Sequence, residues 1–169
     1  MKGTKLRGVH TAQKIENYRE LLEMVENKYF NNIAYKYKKD ATQKEPEYIE
    51  KTYGQYIKDV KALSTGLLNL GLENKKVIVI GSNRYEWCTT YMAVTTGNMI
   101  IVPLDKALPN TEIKSLVTRS GAEAIVFDKK YKDIMIEFRR ILNDYIDHSV
   151  ELDPFIIAVF NVGRKRKYE

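Results

Sequence analysis

The sequence predicts an α/β fold built on a largely parallel sheet. Short β-branched or apolar runs recur at KKVIVIG (75–81), NMIIVP (98–103) and AEAIVFD (122–128). Segments of helical periodicity separate them. Strands and helices alternating at this spacing require crossover connections, which set neighbouring strands parallel.

Each element has a local reason. Residues 16–29 place Tyr18, Leu21, Leu22 and Val25 at helical spacing, with glutamates on the other face. NNIAYKYKKD (31–40) alternates Ile33, Tyr35 and Tyr37 with smaller or charged residues, the pattern of a half-buried strand. TQKEPE (42–47) is a loop. Thr52 and Gln55 form a capping-box pair at the start of a helix over 53–70, with Tyr56, Ile57, Val60, Leu63, Leu67 and Leu70 along one stripe. Such a helix is about 27 Å long. Gly66 within it suggests close approach of another backbone, and Gly71 suits a left-handed C′ position.

The run 75–81 reads as a strand covered on both faces. Residues 83–97, NRYEWCTTYMAVTTG, are apolar almost all round and read as a buried helix. Gly97 is expected to let that helix end press against the sheet, and Pro103 to end the next strand because it cannot donate to the ladder. Pro109 opens a helix carrying Ile113, Leu116, Val117 and Ser120, closed by Gly121. A further helix is expected over 129–145, with Ile134, Phe138, Ile141 and Tyr145 in line, and a last strand over 155–163. Internal repeats and low-complexity segments are absent from the sequence.

The 169 residues suffice for one domain, or one domain with an unfinished second. A chain of this size buries roughly 70% of its unfolded surface without staples. A single cysteine, Cys88, excludes an intramolecular disulfide and fits a reducing compartment. No apolar run approaches the roughly 20 residues of a membrane span, and the first residues hold no secretory h-region. These features are read as cytoplasmic. The net charge is +6, and Arg164 to Lys167 form a basic run read as a solvated terminus, not a nucleic-acid contact.

Open α/β sheets bind ligands at the carboxyl ends of their strands. GSNRYEW, PLDKALP and DKKYK follow the three central strands, and none is a glycine-rich phosphate cradle. Ser82, Asn83 and Asn110 are read as ordinary helix N-caps rather than anion sites. Asp105 and Asp128 both follow strands and could face a shared crevice, as acid–base carboxylates or Mg²⁺ ligands, but are read as turn caps. Cys88, mid-helix between Trp87 and Tyr91, is read as an inert thiol. His10 and His148 lie in polar surroundings, neither at a metal-ligand spacing. From the residues alone, the chain is a scaffold with no catalytic, cofactor-binding or metal residue assigned.

Residues from about 30 to 130 resemble the start of the adenylate-forming acyl-CoA synthetases, most closely the long-chain fatty acid–CoA ligase branch. TYGQY (Thr52 to Tyr56) is similar to that family's opening Thr/Ser-Tyr-x-x-[Leu/Tyr/Phe] motif. Thr96-Gly97 through Asp105 is similar to its second motif, a small-residue helix end, a glycine, an apolar strand and Val-Pro-Leu-[Asp/Asn]. NRYEW and the Leu-Gly-Leu closing the long helix also agree. The resemblance implies an N-terminal helical extension (1–30), an incomplete α/β N-terminal subdomain (31–150), and a possible last strand with a basic tail (151–169). It implies a reaction in which acid and ATP form an acyl-adenylate and CoA then displaces AMP. ATP, Mg²⁺ and CoA belong to the full-length family. The phosphate loop ending in Pro-Lys-Gly, the aromatic acid pocket, the ribose aspartate and the lid lysine of that family have no counterpart in this sequence. A truncated reading frame, a frameshift or an N-terminal subdomain expressed alone is therefore expected. Its partner is expected to be the remainder of the synthetase, or a second copy through an uncovered sheet edge. The alternative is a non-catalytic binding or interaction module.

Overall fold

The computed structural model describes residues 13–39, 42–131, 146–152 and 155–160. The chain begins with α1 (Tyr18–Tyr29), capped by Asn17, whose side-chain oxygen accepts from the Arg19 and Glu20 amides. A hairpin follows, β1 (Ile33–Lys38) antiparallel to β2 (Tyr48–Thr52), with a register shift between Ile33 and Tyr35. The shift puts Tyr35 and Tyr37 on the inner side and leaves Ile33 exposed. The strand β2 was not anticipated. It is only five residues long, and its pairing with β1 across the loop is what defines it.

Thr52 ends β2 and caps α2 (Tyr53–Asn69). Its hydroxyl accepts from the Gln55 amide at 3.2 Å, and the Gln55 side chain accepts from the Thr52 amide at 3.0 Å. The expected capping box is complete. The helix ends in a Schellman turn: Leu72 N–H donates to the Leu67 carbonyl and Gly71 N–H to that of Leu68, with Gly71 at φ 78°. The close approach expected at Gly66 is absent, because that residue lies on the exposed face of α2.

The main sheet contains β3 (Lys76–Ile80), β4 (Ile100–Leu104), β5 (Ala124–Asp128), β6 (Ile146–Leu152) and β7 (Phe155–Phe160), in the order β4-β3-β5-β7-β6. β3 pairs parallel with both β4 and β5, whereas β7 runs antiparallel to β5 and to β6. The sheet is thus parallel through its first three strands and antiparallel beyond. The strand expected over 155–163 is β7, and β6 was not anticipated. The helix α3 (Tyr85–Thr96) crosses from β3 to β4, and α4 (Asn110–Ser120) crosses from β4 to β5. The helix expected over 129–145 is described only as a 3-10 turn at Lys129–Tyr131, and Ile134, Phe138, Ile141 and Tyr145 lie outside the described residues.

Alternation along β3 divides the core between the two faces of the sheet. Ile78 and Ile80 pack with Ile125, Phe127 and α4's Ile113 and Val117. Val77 and Val79 pack with Ala124, Val126, α2's Leu67 and α3's Val94. A third cluster joins α1, α2 and α3 through Leu22, Ile57, Val60 and Ala93, with Tyr35 and Tyr37 of the hairpin against it. No residue of α3 is exposed, as its apolar sequence predicts.

Gly97 brings α3 against α2 rather than against the sheet. A Cβ there would collide with the Ser64 Oγ of α2, and would lie 2.5 Å from Met99 Cε and 2.7 Å from the Ala93 carbonyl oxygen. Pro103 does not end β4. Ile100 N–H donates to the Lys75 carbonyl, so by alternation the backbone groups of Ile101 and Pro103 face away from β3. On an edge strand that position has no ladder bond to lose, so proline is accommodated there.

Candidate functional site

The strand order places a switch point at β3 and β5. The chain leaves β3 through α3 on one face, and α4 delivers it to β5 on the other. Such a point opens a crevice between the carboxyl ends of adjacent strands, where α/β proteins hold ligands. Here the protein's own side chains bridge it. Ser82, two residues beyond β3, donates its hydroxyl to Asp128 Oδ2 at the end of β5, 3.3 Å away. Lys130 Nζ donates to Ser82 Oγ at 3.1 Å and lies 4.9 Å from the centre of the Tyr131 ring. The Tyr131 hydroxyl donates to the Lys106 carbonyl at 3.0 Å, tying the loop after β4 to the turn after β5.

This arrangement revises the expected capping. Ser82, Asn83 and Asn110 do not cap: the N-cap residues are Arg84 for α3 and Pro109 for α4, neither with a side-chain cap bond. The Ser82 hydroxyl is drawn across to Asp128 instead. Pro109, at φ −58° and ψ 149°, takes the cap position itself, and Asn110 becomes the first helical residue. The two aspartates are turn residues, as read. Asp105 accepts from the Ala107 amide at 2.8 Å, and Asp128 from the Lys130 amide at 3.4 Å. β3 lies between their strands, and each carboxylate is engaged by its own turn.

Cys88 is a half-buried free thiol whose carbonyl accepts a hydrogen bond from the Tyr56 hydroxyl. The neighbouring Trp87 and Tyr91 rings stack at 5.5 Å. His10 lies outside the described residues, and His148 falls in β6. Among the described residues, no three His, Cys, Asp or Glu side chains gather as a metal-binding group. Those same residues leave no buried side-chain nitrogen or oxygen without a partner. Among the described residues, the crevice offers the Ser82 hydroxyl and the Lys130 ammonium, bonded to each other, and the Asp128 carboxylate.

Beside the crevice, the start of α3 is held by a polar aromatic cluster. The Tyr85 hydroxyl donates to Asp59 Oδ2 of α2 at 2.7 Å. Lys51 of β2 pairs with the same oxygen at 3.1 Å, and its ammonium lies 5.2 Å from the Tyr85 ring centre. Tyr37 stacks on Tyr85 at 5.7 Å, and Tyr35 meets Tyr85 edge-on at 5.2 Å and Tyr56 at 4.9 Å. Burial raises all four hydroxyls above the ordinary tyrosine pKa, so the phenols stay neutral, and for Tyr85 its bond to Asp59 adds to the rise. Composition alone shows twelve tyrosines. Only the hairpin register and the α2–α3 packing bring four of them together.

Side chains tie the strand ends to one another across the crevice. The AMP-binding enzyme family matches residues 23–154. The mitochondrial medium-chain acyl-CoA ligase of Macaca fascicularis is 30% identical over 87 residues, covering 51% of this chain and 14% of that protein. The anthranilate CoA ligase AuaEII, solved with anthranoyl-AMP, superposes with a TM-score of 0.65 at 18% identity, over 76% of this chain and 23% of that one. The N-terminal domain of FACL13 from Mycobacterium tuberculosis superposes with a TM-score of 0.63 at 17% identity, over 74% of this chain and 30% of that one. At such identities these two show the fold, which is that of the N-terminal subdomain of adenylate-forming synthetases. The chain therefore spans a small part of the relatives it matches. By the extent of the match it belongs to the AMP-binding enzyme family.

Proposed function

We propose that this chain is the N-terminal scaffold of an ATP-dependent fatty acid–CoA ligase and does not form an acyl-adenylate by itself. The match over residues 23–154 carries the reading, because it spans α1 through β6 while the sequence following the central strands holds no glycine-rich phosphate cradle. Ser82, Asp128 and Lys130 support it, since they engage one another at the crevice where a nucleotide is otherwise held. Adenylation requires positioned donors and Mg²⁺ against the transferred charge, and on this reading other segments supply them. The resemblance of residues 30–130 is read as closest to the long-chain branch, whereas the relative named above is a medium-chain ligase. We place the chain in the cytoplasm with no nucleic-acid partner. Among the described residues no helix is long and apolar enough to cross a membrane, and the relative named above is mitochondrial. Purified chain with ATP, Mg²⁺ and a panel of medium- and long-chain fatty acids is expected to show only background pyrophosphate exchange. Exchange above background with any acid overturns the reading.

A second reading is a non-catalytic module that pairs with a separately encoded remainder or with a second copy. The observation favouring it is β4, an all-apolar edge strand whose residues are half-buried or exposed, Ile100 being 52% exposed. Uncovered apolar edges associate. Light scattering on the purified chain is expected to show association growing with concentration. A monodisperse, cooperatively melting monomer at high concentration counts against pairing.

A further inference from the structure

We draw no further inference here: the strongest candidate, the open cleft of about 900 Å³ between the N-terminal end of α1 and the α3–β4 turn, carries nothing because its polar groups already serve the protein, with Asn17 capping α1, Arg19 donating to the Thr96 carbonyl and Asn98 to Glu73.

Discussion

β3 and β4 are adjacent strands of five residues, paired in parallel from Lys76 opposite Ile100 to Ile80 opposite Leu104. Their compositions are nearly alike, KVIVI and IIVPL. Yet Val77, Ile78, Val79 and Ile80 are all fully buried, while β4 exposes Ile100 and Pro103 and half-covers Ile101, Val102 and Leu104. The difference is one of place. β3 has a strand on each side and a helix layer on each face, whereas among the described residues β4 has one neighbour and an outward row that includes a proline. Apolar sequence marks a strand as able to be buried, but only its position in the sheet decides whether it is.

The largest expected effect lies on the buried side of this comparison. Ile78→Ala removes a fully enclosed side chain from the Ile113–Ile125 cluster and is expected to cost about 2–5 kcal/mol in urea unfolding. Gly97→Ala attacks the corner through which β4 is reached. The new methyl meets Ser64, Met99 and a backbone oxygen, and is expected to cost roughly 1–3 kcal/mol. Adding Ser64→Ala to that variant should recover part of the loss, since one of the three collisions disappears. An unchanged urea midpoint for Gly97→Ala would dispose of the close α2–α3 contact.

On the exposed side, Ile101→Ala is expected to cost on the order of 1 kcal/mol in the lone chain, because only part of that side chain leaves water. A cost equal to that of Ile78→Ala would mean that β4 is covered in solution and would erase the contrast.

The smallest effect separates the aliphatic sheet from the tyrosine layer beside it. Tyr56 and Tyr85 hold their protons more tightly when folded than at the ordinary value of 10.0. Their contribution to stability is thus complete below that pH and is lost as pH rises beyond it. Urea midpoints should fall above pH 10.0, and Tyr85→Phe should make the fall shallower. A flat alkaline profile would show that these hydroxyls are not linked to folding.

Much of this architecture was legible along the chain. The Thr52–Gln55 capping box, the Schellman glycine Gly71, the buried run of β3, the left-handed Gly121 closing α4 and the apolar α3 each follow from residues within a few positions of one another. β6 was also readable, since Ile146, His148, Val150 and Leu152 alternate with Asp147, Ser149 and Glu151. The helical periodicity over 129–145 runs directly up to it and masks its start. The site was less legible. Asp105 and Asp128 are turn residues by local rules, but nothing near Ser82 in sequence says that its hydroxyl goes to Asp128, 46 residues on.

The sequence by itself determined α1 to α4, the strands β1, β3, β4, β5 and β7, the α/β class and the family likeness, because periodicity, capping and turn chemistry act over one or two turns of chain. Tertiary structure alone decided that the sheet turns antiparallel at β7, that Gly97 presses on α2 rather than on the sheet while Gly66 meets nothing, that four tyrosines meet beside the Lys51–Asp59 pair, and that Ser82, Asp128 and Lys130 bridge the switch point. Each of these depends on which distant segments become neighbours. That outcome is set by burying whole faces together, not by any residue's own preference.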